Sequence, residues 1–332
     1  MRALSAQSEA NFEAFIVDNG SSDGSAANLP ALDARFTLLE MGENLGFAKA
    51  NNHAAKRARA EYLVLLNPDA FAHEDWLEKL LSEAASPEVT MVGSLQYMAS
   101  NTEILDGAGD FYHISGIALR GGFGHPISRV PSAAFEVFAP CGAGALYHRA
   151  SYLAVGGFDE RFFCYHEDVD IGYRLRLAGG RCVQSVRAKL DHVSSAISGR
   201  RSDFSIYHGT RNRIWTFFKN TPLRFLWLFA PLHILVNLLV LLRAVLRRGT
   251  FRPTWRGIKD GVKGLPQIWA SRKEVKAQRK ISPFKMLGIY TWSPVRVVRR
   301  SVPTARARGS IGAIPPAIPP AIPPAIPKTP RS

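Results

Sequence analysis

Tyr62-Leu63-Val64-Leu65-Leu66-Asn67-Pro68-Asp69 decides the fold. An apolar run of strand length is stopped by Pro68, and Asp69 stands just beyond its carboxyl end. Upstream, Phe12 to Val17 is a second such run, closed by the turn sequence Asp18-Asn19-Gly20-Ser21-Ser22-Asp23-Gly24. Phe36 to Met41 reads as a further short strand. Between these runs, Ala48 to Arg59 has helical spacing with basic residues on one side, and Asp75 to Ala84 is amphipathic. Strand alternating with helix predicts an α/β fold with a mostly parallel sheet covered on both faces. Ligands in such sheets bind beyond the carboxyl ends of strands. Asp18 and Asp69 are therefore expected at one crevice.

Farther along, residues 89–150 break into short apolar runs between Gly and Ser, which read as strands and a long loop. Asp168 to Ala178 reads as a helix ended by Gly179-Gly180. Three carboxylates crowd its start in Glu167-Asp168-Val169-Asp170. Such neighbours raise one another's pKa, which suits a general base. Asp170 and Arg174 are four apart, the spacing of a structural ion pair.

The charge is unevenly placed. The chain of 332 residues carries +15 overall. Residues 1–200 hold 17 Lys/Arg and 24 Asp/Glu, whereas 201–332 hold 25 and 3. An acidic globular part precedes a basic one. A basic segment suits an anionic membrane surface or nucleic acid. Here Trp227, Trp255, Trp269 and Trp292 among the basic residues favour the membrane and argue against nucleic acid. Phe225 to Leu242 is apolar but short for a spanning helix, and Pro231 interrupts it, so a helix lying in the interface is expected. The Ala-Ile-Pro-Pro repeats from Ala313 predict a disordered, polyproline-like tail over 301–332. Cys141, Cys164 and Cys182 form no CxxC pair, so neither a disulfide frame nor a zinc site is expected. Met1-Arg2-Ala3 opens into polar sequence without a signal peptide, which predicts a cytoplasmic catalytic part.

Four motifs now fall into order: Val17 to Gly24, Asn44-Leu45-Gly46-Phe47 with Asn51-Asn52, Leu66-Asn67-Pro68-Asp69, and Gly157-Phe158-Asp159 running into Glu167-Asp168-Val169-Asp170. Together they resemble the family 2 glycosyltransferases, in particular the bacterial rhamnosyltransferase-like branch, over residues 1–220. The resemblance implies a GT-A-type, Rossmann-like nucleotide-binding domain at 1–220. A basic, helical, membrane-associated region would follow at 221–300. It also implies that the first strand and part of the first helix of the usual domain are missing, with Leu4-Ser5-Ala6-Gln7 resembling that helix's end.

The resemblance further implies inverting transfer of a sugar from a nucleotide-sugar donor. The acceptor would be a polysaccharide or a polyprenyl-diphosphate-linked saccharide, made at the cytoplasmic face of a bacterial inner membrane. dTDP-rhamnose is the first choice of donor, with UDP-hexoses open. Asp18, Asn44, Gly46 and Asn67 would then contact the nucleotide or its sugar, and Gly142 and Gly144 would lie under the donor sugar. Asp69 and His192 would bind Mg2+ or Mn2+. Asp168 would be the base, with Glu167 the alternative. Plainer readings stand beside these: Asn-Pro-Asp is also a common turn sequence, Asn52 suits a buried structural amide, and Arg211 and Arg213 suit a basic helix face as well as a diphosphate. The rival functions are a catalytically inactive membrane-bound relative and a nucleotidyltransferase. The latter would want a glycine- and Lys/Arg-rich phosphate loop near its start, and none is visible.

Overall fold

The computed structural model describes residues 1–194 and 202–302. The expected Pro-rich tail lies outside the described residues from 303 on. A short α1 (Arg2–Ser5) precedes β1 (Ala14–Asp18), β2 (Phe36–Glu40), α2 (Gly46–Arg57) and β3 (Tyr62–Leu66). Then come β4 (Ala70–Ala72), α3 (Trp76–Ala84), β5 (Val89–Met98), β6 (Asn101–Gly107), β7 (Asp110–Tyr112), β8 (Ala118–Arg120) and β9 (Phe135–Glu136). β10 (Gly144–His148), α4 (Arg149–Ala154), α5 (Glu167–Leu177) and β11 (Arg181–His192) complete the α/β part.

A seven-stranded sheet runs β3-β10-β5-β11-β4, with β6 on β5 and β9 on β11. It is mixed: β5 and β11 are parallel, while β10 runs antiparallel to both β3 and β5. Side chains alternate across a strand, and the core divides accordingly. Val92, Leu146 and Val183 pack with Trp76 and Leu80 of α3 on one face. Met91, Ala145, Tyr147 and Cys182 pack with Ile171 and Leu175 of α5 on the other. The expected α/β layering with helices on both faces follows from this alternation.

β1 and β2 pair in parallel, from Ala14 with Phe36 to Asp18 with Glu40, as a separate two-stranded sheet. Among the described residues, β1 pairs only with β2 and β3 only with β10. A cavity of about 1770 Å³ runs between them, lined by Phe15, Ile16 and Val17 on one side and Tyr62 to Leu66 on the other. It continues to the strand-end residues Asn67 to Asp69 and to α5.

The chain then turns helical: α6 (Asp203–Asn220), α7 (Leu223–Leu246), α8 (Phe251–Lys263), α9 (Leu265–Ala270), α10 (Arg272–Gln278), α11 (Pro283–Ile289) and α12 (Pro294–Arg299). Ser202 caps α6 by accepting the Ser205 N–H. α7 runs through Pro231, which removes a donor without ending the helix. Its buried side mixes apolar Phe225, Leu226, Phe229 and Ala230 with two polar residues. His233 (1% exposed) donates to the Ser115 carbonyl, and Asn237 accepts from Arg213. Leu228 (68% exposed), Leu235, Leu238, Leu239 and Leu242 face outward. A seam of buried charge ties this region to α5. Lys219 of α6 donates to Asp159 (2.6 Å) and Asp170 (2.9 Å), and Asn220 to Asp170 (2.7 Å).

Candidate functional site

The turn from β3 to β4 builds one end of the site. Asn67 donates its N–H to the Ala143 carbonyl and accepts from Ala70 N–H, which fixes the Asn-Pro-Asp turn. Asp69 accepts Val193 N–H on its carbonyl. Its Oδ1 lies 3.3 Å from Nε2 of His192, the last residue of β11. Behind the imidazole, His192 Nδ1 is 2.8 Å from Asp106 Oδ2. Asp106 also accepts from Ser194 Oγ (2.6 Å) and from Arg120 (2.8 Å). Burial disfavours charge on His192, but Asp106 and Asp69 outweigh it and hold the imidazole pKa above its usual value. A carboxylate behind an imidazole that faces a second carboxylate is the setting of a metal-ligating histidine. Among the described residues no group of three His/Cys/Asp/Glu side chains surrounds one point. Asp69 and His192 are an oxygen donor and a nitrogen donor facing each other, and a cation held there would need its other ligands from substrate oxygens and water.

α5 builds the other end. Three non-glycine residues just before it, Phe163, Tyr165 and His166, have φ of 64°, 69° and 67°. Such strain persists only where its surroundings impose it. Asn212 of α6 does so, donating to the carbonyls of Phe162 (3.0 Å), Cys164 (2.9 Å) and Tyr165 (2.7 Å). Glu167 is the first helical residue and Asp168 the second. Asp168 accepts Gly142 N–H on Oδ2 (3.1 Å) and Val169 N–H on Oδ1 (2.8 Å). Its pKa is raised by burial, against the pull of those backbone donors. Glu167 is pushed much further up by burial and by Asp168 beside it, and its Oε2 has no hydrogen-bond partner. Asp170 goes the other way. Burial would raise it, but Arg174 and Lys219 win and lower it. The ion pair with Arg174 is present at 2.7 Å.

Of the residues singled out from sequence, Asn44, Gly46, Asn67, Asp69, Gly142, Glu167, Asp168 and His192 line the one large cavity. Asn44 Oδ1 accepts from Asn19 (3.1 Å) and from Gly46 N–H (3.0 Å). Gly46 has φ +79°, and a Cβ there would meet the Phe163 ring at 2.5 Å, so only glycine fits. Asp18 and Gly144 are not among the lining residues. Asp18 accepts Ser21 N–H (3.1 Å) and shapes the turn. Gly144 lies within β10, where a Cβ would collide with Leu190. Asn52 is a buried structural amide, bonded to Phe158 and Tyr152. Arg211 is held by the Phe162 carbonyl and Arg213 by Asn237.

The sequence reading missed Asp106, Asp110 and Arg120. Arg120 spans the site, with one guanidinium nitrogen on Asp106 and the other 2.9 Å from Cys141 Sγ. The available signal was two carboxylates inside the otherwise apolar and glycine-rich stretch Ile104 to Tyr112.

Residues 1–154 match the family model described as glycosyl transferase family 2. Over that span the chain is similar to family 2 glycosyltransferases, and its α/β fold is GT-A-like. The chain is 31% identical over 210 residues to the O-antigen biosynthesis protein RfbC of Myxococcus xanthus, covering 58% of this chain but 16% of that one. It is 27% identical over 231 residues to an N-acetylglucosaminyl-diphospho-decaprenol L-rhamnosyltransferase of Mycobacterium tuberculosis, covering 60% and 72%. A solved mannosyltransferase, PcManGT from Pyrobaculum calidifontis in complex with GDP-Man and Mn2+, shares the fold with a TM-score of 0.50 and 17% identity. That alignment covers 83% of this chain and 80% of that one.

Proposed function

We propose that this chain transfers a sugar, with inversion, from a nucleotide-sugar donor to a saccharide acceptor of the cell envelope. The observation that carries the reading is Asp168, held by two backbone N–H groups at one end of a cavity whose other end is Asp69 with His192. Asp168 takes the proton of an acceptor hydroxyl. The oxygen bonds to the anomeric carbon from the face opposite the diphosphate, and the bond from that carbon to the diphosphate breaks. Glu167, its carboxyl pushed well above the usual carboxylate range by burial and by Asp168 beside it, orients its neighbour. Asn44, Gly46 and Asn67 face the nucleotide, and Gly142 backs the sugar. Asp69 and His192 would hold Mg2+ or Mn2+; when bound, such a cation offsets the charge of the departing diphosphate.

The mycobacterial relative's name supports a polyprenyl-diphosphate-linked acceptor, with rhamnose the first choice of sugar. Such an acceptor sits at a membrane. The outward leucines of α7 and the basic balance after residue 200 support attachment to the anionic inner face of the cell membrane. We assign residues 1–220 to catalysis and 221–300 to attachment.

Single-turnover transfer from dTDP-rhamnose to a polyprenyl-diphosphate-linked sugar tests the base. Asp168→Asn should lower the rate by about 100- to 10,000-fold, with donor affinity little changed. A near-parental rate would remove Asp168 from that role. Chelator should abolish transfer, added Mg2+ or Mn2+ should restore it, and Asp69→Ala should be beyond such rescue. Full activity in chelator would sink the cation assignment.

A further inference from the structure

We propose that Asp110 is a sugar-binding carboxylate, accepting hydrogen bonds from ring hydroxyls of the donor's sugar between the two ends of the cavity. The inference rests on the donor reading above and deepens it.

Asp110 is rigidly placed. Its N–H donates to the Ala139 carbonyl (2.9 Å), its carbonyl accepts Phe138 N–H (2.8 Å), and it stands opposite Arg120 in the β7–β8 ladder. The residue is 8% exposed and lines the cavity beside Arg120, Cys141, Gly142 and Asp168. Its carboxylate makes no hydrogen bond and no ion pair with any described residue, although every other carboxylate of the site has at least one partner or helix position to account for it. Its oxygens open onto the cavity, where no donor among the described residues reaches them. The ladder fixes the carboxylate in place, and a ligand rich in O–H groups would satisfy it.

Position decides which part of the ligand that is. Asp106, one end of Arg120's reach, belongs to the His192–Asp69 end. Cys141, the other end of that reach, adjoins Gly142, whose N–H holds Asp168. Asp110 lies across the ladder from Arg120, so it sits between the diphosphate end and the base end. In the transfer, the anomeric carbon must lie between the departing diphosphate and the oxygen that Asp168 deprotonates. The donor's sugar ring therefore occupies this stretch. A charged carboxylate has two acceptor oxygens and suits two adjacent hydroxyls. Arg120 is already engaged by Asp106 and Cys141, which leaves Asp110 to the ligand.

Charge on Asp110 is finely balanced. Burial, then the charges of Asp168 and Asp106, raise it, while Arg120 and Arg300 lower it, and it comes to about 7. Hydroxyl donors favour its charged form, so the sugar's contribution to binding should grow as pH rises through neutrality.

Calorimetry on the full chain tests this with two pairs of probes, dTDP-rhamnose against dTDP and UDP-glucose against UDP, in Mg2+ or Mn2+ at pH 6 and pH 8. The quantity read is the preference for the sugar-bearing form over the bare nucleotide. Asp110→Asn should reduce that preference about tenfold, the usual scale for losing hydrogen bonds to a charged group, and leave nucleotide affinity unchanged. In the unaltered chain the preference should rise from pH 6 to pH 8; in Asp110→Asn it should be flat. The pH arm needs no substitution, so a folding defect in the variant does not hide the answer. An unchanged preference in Asp110→Asn, or a pH-independent preference in the parent, overturns the assignment. If the parent binds nucleotides without gain from the sugar, Asp110 alone loses its role. If the parent binds neither, the donor reading fails and Asp110's role fails with it.

Discussion

The α/β part and the helical part solve burial in opposite ways. Around β5, apolar side chains face inward on both sides of the sheet, and buried polar groups outside the site, such as Ser94 and Asn52, are bonded within the protein. In α7 the polar residues His233 and Asn237 point inward beside Phe225, Leu226 and Phe229, while Leu228, Leu235, Leu238, Leu239 and Leu242 point out. The first region is complete with respect to water except where it opens to a ligand. The second leaves an apolar surface, and an exposed apolar face of that extent marks an interaction site. The two are joined by Lys219, buried between Asp159 and Asp170, and by Asn212, which holds the loop before α5.

The seam offers the sharpest way to break the comparison. Lys219→Ala removes a cation shared by two buried carboxylates, leaving Asp159 with Arg161 and Asp170 with Arg174, and removing one partner of a buried pair costs up to about 3–5 kcal/mol. Urea unfolding should register that loss in a single transition if the seam makes the two regions one cooperative unit. Two separated transitions in the parent would mean that they unfold independently.

Next in size is an effect confined to the α/β part. Asp110 has a raised pKa in the folded state, so its contribution to stability is fully present below the unfolded value, 3.8, and is lost as pH rises through about 7. Asn mimics the protonated form at every pH. Asp110→Asn should therefore be more stable than the parent at pH 8, by up to roughly 4 kcal/mol, and equal to it near pH 4. Thermal melts across that range check the sign; a variant less stable than the parent at pH 8 would contradict it.

The smallest effect on the fold concerns α7. Leu238→Asp with Leu242→Asp alters two outward residues. Surface changes usually shift stability by less than about 0.5 kcal/mol, yet each leucine lost to a bilayer forfeits about 1.5–3 kcal/mol. Flotation with anionic vesicles should show at least a tenfold loss of binding, with an unchanged melting temperature. Undiminished flotation would locate the attachment elsewhere.

Legibility in the sequence followed the same division. Tyr62–Leu66 was readable to the residue because an apolar run ends at a proline. α5 was displaced by one residue, since the left-handed His166 sets its start and that conformation depends on Asn212, far along the chain. α2 begins at Gly46 rather than Ala48 for a similar reason, the fit of Gly46 against Phe163. Residues 89–150 resisted because β7 to β9 are short and β6 and β7 carry Asp106 and Asp110. Asp69, Asp168 and His192 were singled out from the sequence, and the structure sets all three on the wall of one cavity. Asp106, Asp110 and Arg120 were not singled out, because they acquire meaning only from a ladder that sets Asp110 opposite Arg120. The outward leucine face of α7 was hidden too: an apolar run does not reveal which of its residues turn inward.

The split between the two sheets has a consequence for how the molecule behaves in a tube. An unpaired strand edge is a template for strand addition. Here the edge of Ala14–Asp18 and that of the almost wholly apolar Tyr62–Leu66 face each other across one cavity. Any extended apolar segment from a neighbouring molecule can pair with both. Strand addition through this slot is the expected route of self-association, and a charged residue placed on either edge would oppose it.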